Sequence, residues 1–163
     1  MISTATRTPG PRSARTAGFL DVQLRPFPRS PDLFFEAGWR DLERRSLHSN
    51  PFLSPSVLLS QPEGAPSREP TQLLTVMDAD GRWHAAGVFE IVGGSRQLPA
   101  PHLQATKGQH CYVSGLLLDP ASSDDAIAAI WRFLDDQGLH GVAFPQFPVE
   151  SRLGDLLLSL IHI

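Results

Sequence analysis

Apolar and polar residues alternate through residues 19–27, with Leu20, Val22 and Leu24 set against Asp21, Gln23 and Arg25. A period of two marks a strand with one buried face, and Pro26 and Pro28 end it. The period then lengthens. Phe35, Trp39 and Leu42 fall on one side of a helix that Ser30-Pro31-Asp32 opens with a capping serine, a first-turn proline and an acid. Arg44 and Arg45 sit at its far end, where the helix dipole favours cations. Asn50-Pro51-Phe52 breaks this helix, because proline disfavours helical geometry in the residue before it. Ser54-Pro55 then opens a short second helix through Val57, Leu58 and Leu59.

Residues 62–71, rich in Pro, Gly, Ser and Glu, read as a mobile loop. Residues 72–77 and 82–92 flank Asp78-Ala79-Asp80-Gly81, a strong hairpin signal. Leu73, Leu74, Val76 and Met77 on one strand, and Ala85, Val88, Phe89 and Ile91 on the other, place apolar groups on both faces. That pattern predicts a central sheet covered by helices on each side. Residues 93–109 have no periodicity and read as a long loop of the kind that carries function. Residues 112–118 read as a strand, and Asp119-Pro120 turns the chain. Ser122 or Ser123 caps a helix with Asp124 and Asp125 in its first turn, Ile127, Ile130, Trp131 and Leu134 as its buried stripe, and Gly138 at its end. Residues 141–144 read as a short buried strand, so 112–144 resembles a βαβ crossover. Together these elements predict a mixed α/β fold: a central mixed sheet flanked by helices.

The chain of 163 residues is a one-domain length, and its 41% hydrophobic content can build a core. A net charge of −3 gives no broad attraction for nucleic acid or an anionic membrane. No apolar run approaches the roughly 20 residues of a membrane span. The lone Cys111 excludes an internal disulfide, and with no export signal a cytoplasmic location is expected. Residues 1–17, with no acid and little to bury, read as a disordered tail before a domain at 18–157. The last six residues, Leu158-Ser159-Leu160-Ile161-His162-Ile163, match one reading frame of a transposon adapter end used in preparing sequencing libraries. Residues 158–163 are therefore expected to be non-native, with a C-terminal half of the protein missing; a genuine amphipathic C-terminal helix is the alternative.

His110, Ser114 and Asp119 contain the ingredients of a nucleophilic triad, although only spatial arrangement defines one. Alternate strand residues share a face, so His110, Tyr112 and Ser114 line one side of a cleft or form a plain polar strand edge. In the functional reading His110 is the general base or a substrate ligand, Tyr112 a hydroxyl donor, and Ser114 a substrate contact. Asn50 either contacts substrate or closes the turn before Pro51. Arg40, Arg44 and Arg45 meet an anionic substrate or form a solvated face. The histidines show no metal-ligand spacing, and no metal is expected.

The order of these segments resembles the cellulose-biosynthesis acetyltransferase family, the CelD/BcsL-like group of the GNAT superfamily. The resemblance rests on Trp39-Arg40-Asp41-Leu42, Asn50-Pro51-Phe52 with Pro55, the hairpin with Ala86-Gly87-Val88, Gly115-Leu116-Leu117-Leu118-Asp119, and Val142-Ala143-Phe144-Pro145-Gln146. It covers about residues 19–150. This chain has Phe89-Glu90 where the family has Pro-Leu, and nothing in it matches the Gln/Arg-x-x-Gly-x-Gly/Ala turn that binds a CoA pyrophosphate. The resemblance implies a GNAT-like fold and the N-terminal half of an acyltransferase. Its cofactor would be acetyl-CoA or another acyl-CoA, at a site not located in this chain. Its acceptor would be a small molecule or saccharide amine or hydroxyl, in exopolysaccharide or cellulose biosynthesis. A non-catalytic GNAT-like module that binds the acceptor or packs on a catalytic half is the alternative.

Overall fold

A computed structural model describes residues 19–28, 30–60, 70–94, 96, 98–106, 113–148 and 150–160. The strands are β1 (Asp21–Pro26), β2 (Gln72–Met77), β3 (Trp83–Val92), β4 (His102–Ala105), β5 (Leu117–Leu118) and β6 (Val142–Ala143). The helices are α1 (Leu33–Arg45), α2 (Pro55–Leu58), α3 (Ser123–Asp136) and α4 (Arg152–Leu160), with a 3-10 turn at Pro51–Leu53. One sheet runs β1-β2-β3-β4-β6, with β5 added to β3. All its pairings are antiparallel except β4 with β6. The sequence-based expectation of a mixed sheet flanked by helices therefore holds.

Both faces of the sheet are buried, as the two-sided apolar pattern of β2 and β3 requires. Leu74, Val76, Ala85 and Phe89 pack with Ala126, Ile127, Ile130 and Leu134 of α3 and with Leu153. Leu73, Trp83, Ala86 and Val88 pack on the other face with Trp39 and Leu42 of α1 and with Leu53. Trp39 stacks on Trp83 with ring centroids 6.1 Å apart, and its indole N–H donates to the Leu53 carbonyl at 2.9 Å. A buried tryptophan needs such a partner.

Several expectations are corrected. α1 is capped by Asp32, whose carboxylate accepts from the Phe35 N–H at 2.8 Å, so Ser30 and Pro31 precede the helix. A strand, β4, lies within the segment that shows no periodicity. It is only four residues long and three of them are buried, so no alternation appears. The strand expected at 112–118 shrinks to Leu117–Leu118 within the described residues. The backbone just before it bonds instead to loops: the Asn50 side chain donates to the Val113 carbonyl at 3.3 Å, and the Ser114 N–H donates to the Gln146 carbonyl at 2.9 Å. The parallel partner of β6 is accordingly β4, one strand earlier than expected. Trp131, expected in the core, is 38% exposed. The tail at 1–17, nearly all of the loop at 62–71, and residues 161–163 lie outside the described residues.

Candidate functional site

The partner edge of β3 is interrupted near its middle. Ala105 stands opposite Phe89 and Leu117 opposite Ala86, so three steps along β3 are matched by twelve along its partner. The chain thus leaves the edge of β3 after Ala105 and is back on it at Leu117, a separation far longer than a β-bulge. The Thr106 N–H donates to the Val88 carbonyl at 3.1 Å where the chain departs. Gly87 faces the break. A Cβ on it would lie 2.6 Å from the Phe89 ring and 2.9 Å from Leu116, so this approach requires glycine.

Phe89 and Leu116 also line an apolar cavity of about 120 Å³, closed by Leu74, Ile127, Ile130, Trp131 and Phe144 among others. For scale, an engineered apolar cavity of about 150 Å³ holds benzene and stays dry. The space therefore suits a short apolar group. Trp131 is drawn from the α3 stripe to the rim of this cavity, which accounts for its partial exposure.

Ser114 and Asn50 each hold the backbone where the chain returns to β3. Both are buried. The Ser114 hydroxyl accepts from the Gln146 N–H at 3.2 Å. The Asn50 carbonyl oxygen accepts from the Phe52 N–H at 3.1 Å while its amide nitrogen reaches Val113. Asn50 thus caps the 3-10 turn and ties it to the excursion. His110 and Tyr112, with Cys111, lie outside the described residues.

Asp119, the expected acid of the His110 constellation, is committed elsewhere. Arg45 donates to its carboxylate, and Arg82 does so at 3.0 Å. Burial opposes ionisation of Asp119. The Ala121 N–H and the Arg82 and Arg45 guanidinium groups outweigh it and hold the carboxyl below its usual range. Arg45 also donates to the Trp83 carbonyl and to Asp41 at 2.8 Å. It is therefore a tie between layers rather than part of a basic patch. Arg40 pairs with Glu36, and Arg44 with Asp41.

A second polar cluster escaped the sequence reading. The His84 imidazole lies between Asp78, 3.0 Å from Nε2, and Ser122, 2.6 Å from Nδ1. Asp78 and His84 sit on either side of the hairpin and Ser122 lies 38 residues further on, so no local spacing announces the group. Register was the available signal: His84 immediately precedes Ala85, the residue opposite Leu118. Among the described residues no group of three or more His, Cys, Asp or Glu side chains could hold a metal ion, and no helix is long and apolar enough to cross a membrane.

A CoA pyrophosphate does not fit the N-terminus of α3. The preceding turn, Asp119-Pro120-Ala121-Ser122, contains no glycine. The exposed Asp124 and Asp125 of the first helical turn would repel the phosphates.

No family model matches the chain, and no curated protein matches it. Among solved structures it is similar to an aminoglycoside acetyltransferase from an uncultured soil metagenomic sample, with a TM-score of 0.47 and 11% identity over 89% of this chain and 91% of that one.

Proposed function

We propose that this chain is the acyl-holding part of a GNAT-like acyltransferase, moving an acyl group from an acyl thioester to an amine or hydroxyl. One observation carries this reading: the apolar cavity behind the break in the β3 ladder, lined by Phe89 and by Leu116 where the chain returns to that strand. Its lining is apolar and its volume suits a short acyl chain. In this reading His110 takes the acceptor's proton, Tyr112 donates to the thioester oxygen, and Asn50 and Ser114 shape the acceptor side. The acceptor is a saccharide or small molecule of exopolysaccharide assembly, as the resemblance to the cellulose-biosynthesis acetyltransferases implies. Nothing at α3 suits the pyrophosphate of acyl-CoA, so this reading assigns that group no place at α3.

The reading is tested by calorimetric titration of the chain with butyryl-CoA, butyryl-pantetheine and CoA, followed by thiol-release assays with amine and saccharide acceptors. Butyryl-pantetheine is expected to bind about as well as butyryl-CoA, and CoA alone far more weakly. Failure of every acyl species to bind would sink the proposal. The mismatch at α3 favours a second reading, a non-catalytic module, and binding without thiol release would select it.

A further inference from the structure

The row Asp78, His84, Ser122 lies apart from the cavity and is independent of the acyltransferase reading. An ionised carboxylate can only accept a hydrogen bond. Burial works against ionisation of Asp78, but the His84 ring and the Arg82 and Asp80 N–H groups hold its carboxyl below the usual range. In neutral His84 the proton therefore sits on Nε2, facing Asp78 at 3.0 Å, and the Nδ1 lone pair faces the Ser122 hydroxyl at 2.6 Å. A carboxylate that orients an imidazole, and an imidazole that accepts from a serine hydroxyl, form the working order of a nucleophilic triad.

The backbone fixes this geometry. The Asp119 N–H donates to the His84 carbonyl at 2.8 Å, and the Ser122 N–H to the Asp119 carbonyl at 3.2 Å. The arginines on Asp119 anchor the same turn. The other Asp78 oxygen accepts from the N–H groups of Asp80 and Arg82, each at 3.0 Å, which fixes the carboxylate on its turn. Ser122 occupies the N-cap position of α3, yet its hydroxyl makes no capping bond and is given to His84 instead. Capping is the ordinary use of a serine there. The N–H groups of the first helical turn have no carbonyl of their own helix to meet.

We infer that Ser122, His84 and Asp78 form a second site, an acyl-accepting serine that hydrolyses small carboxylic esters. Ser122 Oγ bonds to the ester carbonyl carbon as its proton passes to His84 Nδ1. First-turn N–H groups of α3 receive the oxyanion. The bond to the alkoxide breaks, and the alkoxide leaves with the proton from the imidazolium. Water then gives a proton to the same nitrogen and attacks the acyl-serine carbonyl, the acyl–Oγ bond breaks as Ser122 Oγ takes that proton back from the imidazolium, and the carboxylic acid is released. The exposed Asp124 and Asp125 flank this turn, so neutral or cationic esters are taken and carboxylate-bearing ones refused. Asp78 is a positioning residue.

The test is labelling of the full chain with a neutral alkyl fluorophosphonate, which exchanges its P–F bond for a bond to an activated serine oxygen, read by peptide mass spectrometry. The label is expected on Ser122, unaffected by Ser123→Ala. It should fall about 100-fold or more in His84→Gln. Asp78→Asn keeps the acceptor oxygen of the turn and removes the charge, so it should slow labelling in a chain that still unfolds cooperatively. Ser122→Cys supplies a second reading: iodoacetamide should alkylate the introduced thiol about tenfold faster than free cysteine, and the advantage should vanish with His84→Gln. No label on Ser122, label indifferent to His84→Gln, or an introduced thiol in Ser122→Cys no faster than free cysteine would each overturn the inference.

Discussion

Arg45, in the last turn of α1, donates to the carboxylate of Asp119, 74 residues further along the chain. The pair joins the helix on one face of the sheet to the turn that launches α3 on the other. The Asp119 side chain is 3% exposed and that of Arg45 21%, so Asp119 cannot fall back on water if its partners are lost. Asp119→Ala is expected to cost about 3 kcal/mol, because it removes the acceptor that Arg45, Arg82 and the Ala121 N–H share and frees the turn. Arg82→Ala should cost less than about 1 kcal/mol, since that side chain is half exposed. Urea unfolding of both variants checks the order, and equal losses would contradict it.

Three carboxyls, Asp41, Asp78 and Asp119, are held below their ordinary value of 3.8 in the folded chain. For Asp41 the chief cause is its hydrogen bond from Arg45. A depressed folded value means that the unfolded chain takes up protons first as pH falls. The stabilisation is therefore complete above the unfolded value and is lost as pH drops through the folded one. Unfolding free energy should be level with respect to these groups above about pH 5 and decline below about pH 4. Asp119→Asn should flatten that acid limb, and an unchanged limb would remove Asp119 from the account.

The outline of the fold was legible in the chain because its longer elements are periodic. Trp39 and Leu42 repeat on one helical face, and the hairpin at Asp78 is bracketed by strands whose apolar residues cover both sides. The break at Gly87 was not legible. Its cause is an excursion whose two ends pair with the same strand, and pairing between distant segments leaves no local period. The His84 row was hidden for the same reason, since Ser122 reaches His84 only through the register of β3 with β5. Ser114 and Asn50 were picked out by residue type, and the structure uses both to tie loops together.

Gly87→Ala should act at the break itself. The added methyl meets the Phe89 ring and Leu116 well inside contact distance, so both side chains must shift from their packed positions. A destabilisation of about 1–3 kcal/mol is expected. Calorimetric unfolding measures it, and a neutral outcome would mean that the ring swings into the adjacent cavity.

Thr75 offers the opposite case. It is fully buried in β2, and its hydroxyl has no hydrogen-bond partner among the described residues. Burying an unpaired hydroxyl costs about 1–3 kcal/mol, and valine fills almost the same shape without it. Thr75→Val should raise stability by about 1 kcal/mol, seen as a midpoint higher by about 2–4 °C. A lower midpoint would show that the hydroxyl has a partner, such as a buried water.

Ile130→Phe separates the two uses of the apolar cavity. Ile130 lines it from α3 and is 6% exposed. A larger ring there has empty apolar space to enter, so overpacking strain should be small and added contacts should offset it. Stability is expected to stay within about 1 kcal/mol of the parent, with the cavity filled. If the cavity holds the acyl chain, butyryl-pantetheine binding should fall at least about tenfold, because the ligand's methylenes lose their burial. The row at His84 does not touch this cavity, so fluorophosphonate labelling of Ser122 should be untouched in the same variant. Retained acyl binding in a stably folded Ile130→Phe would move the acyl site away from the break in the β3 ladder.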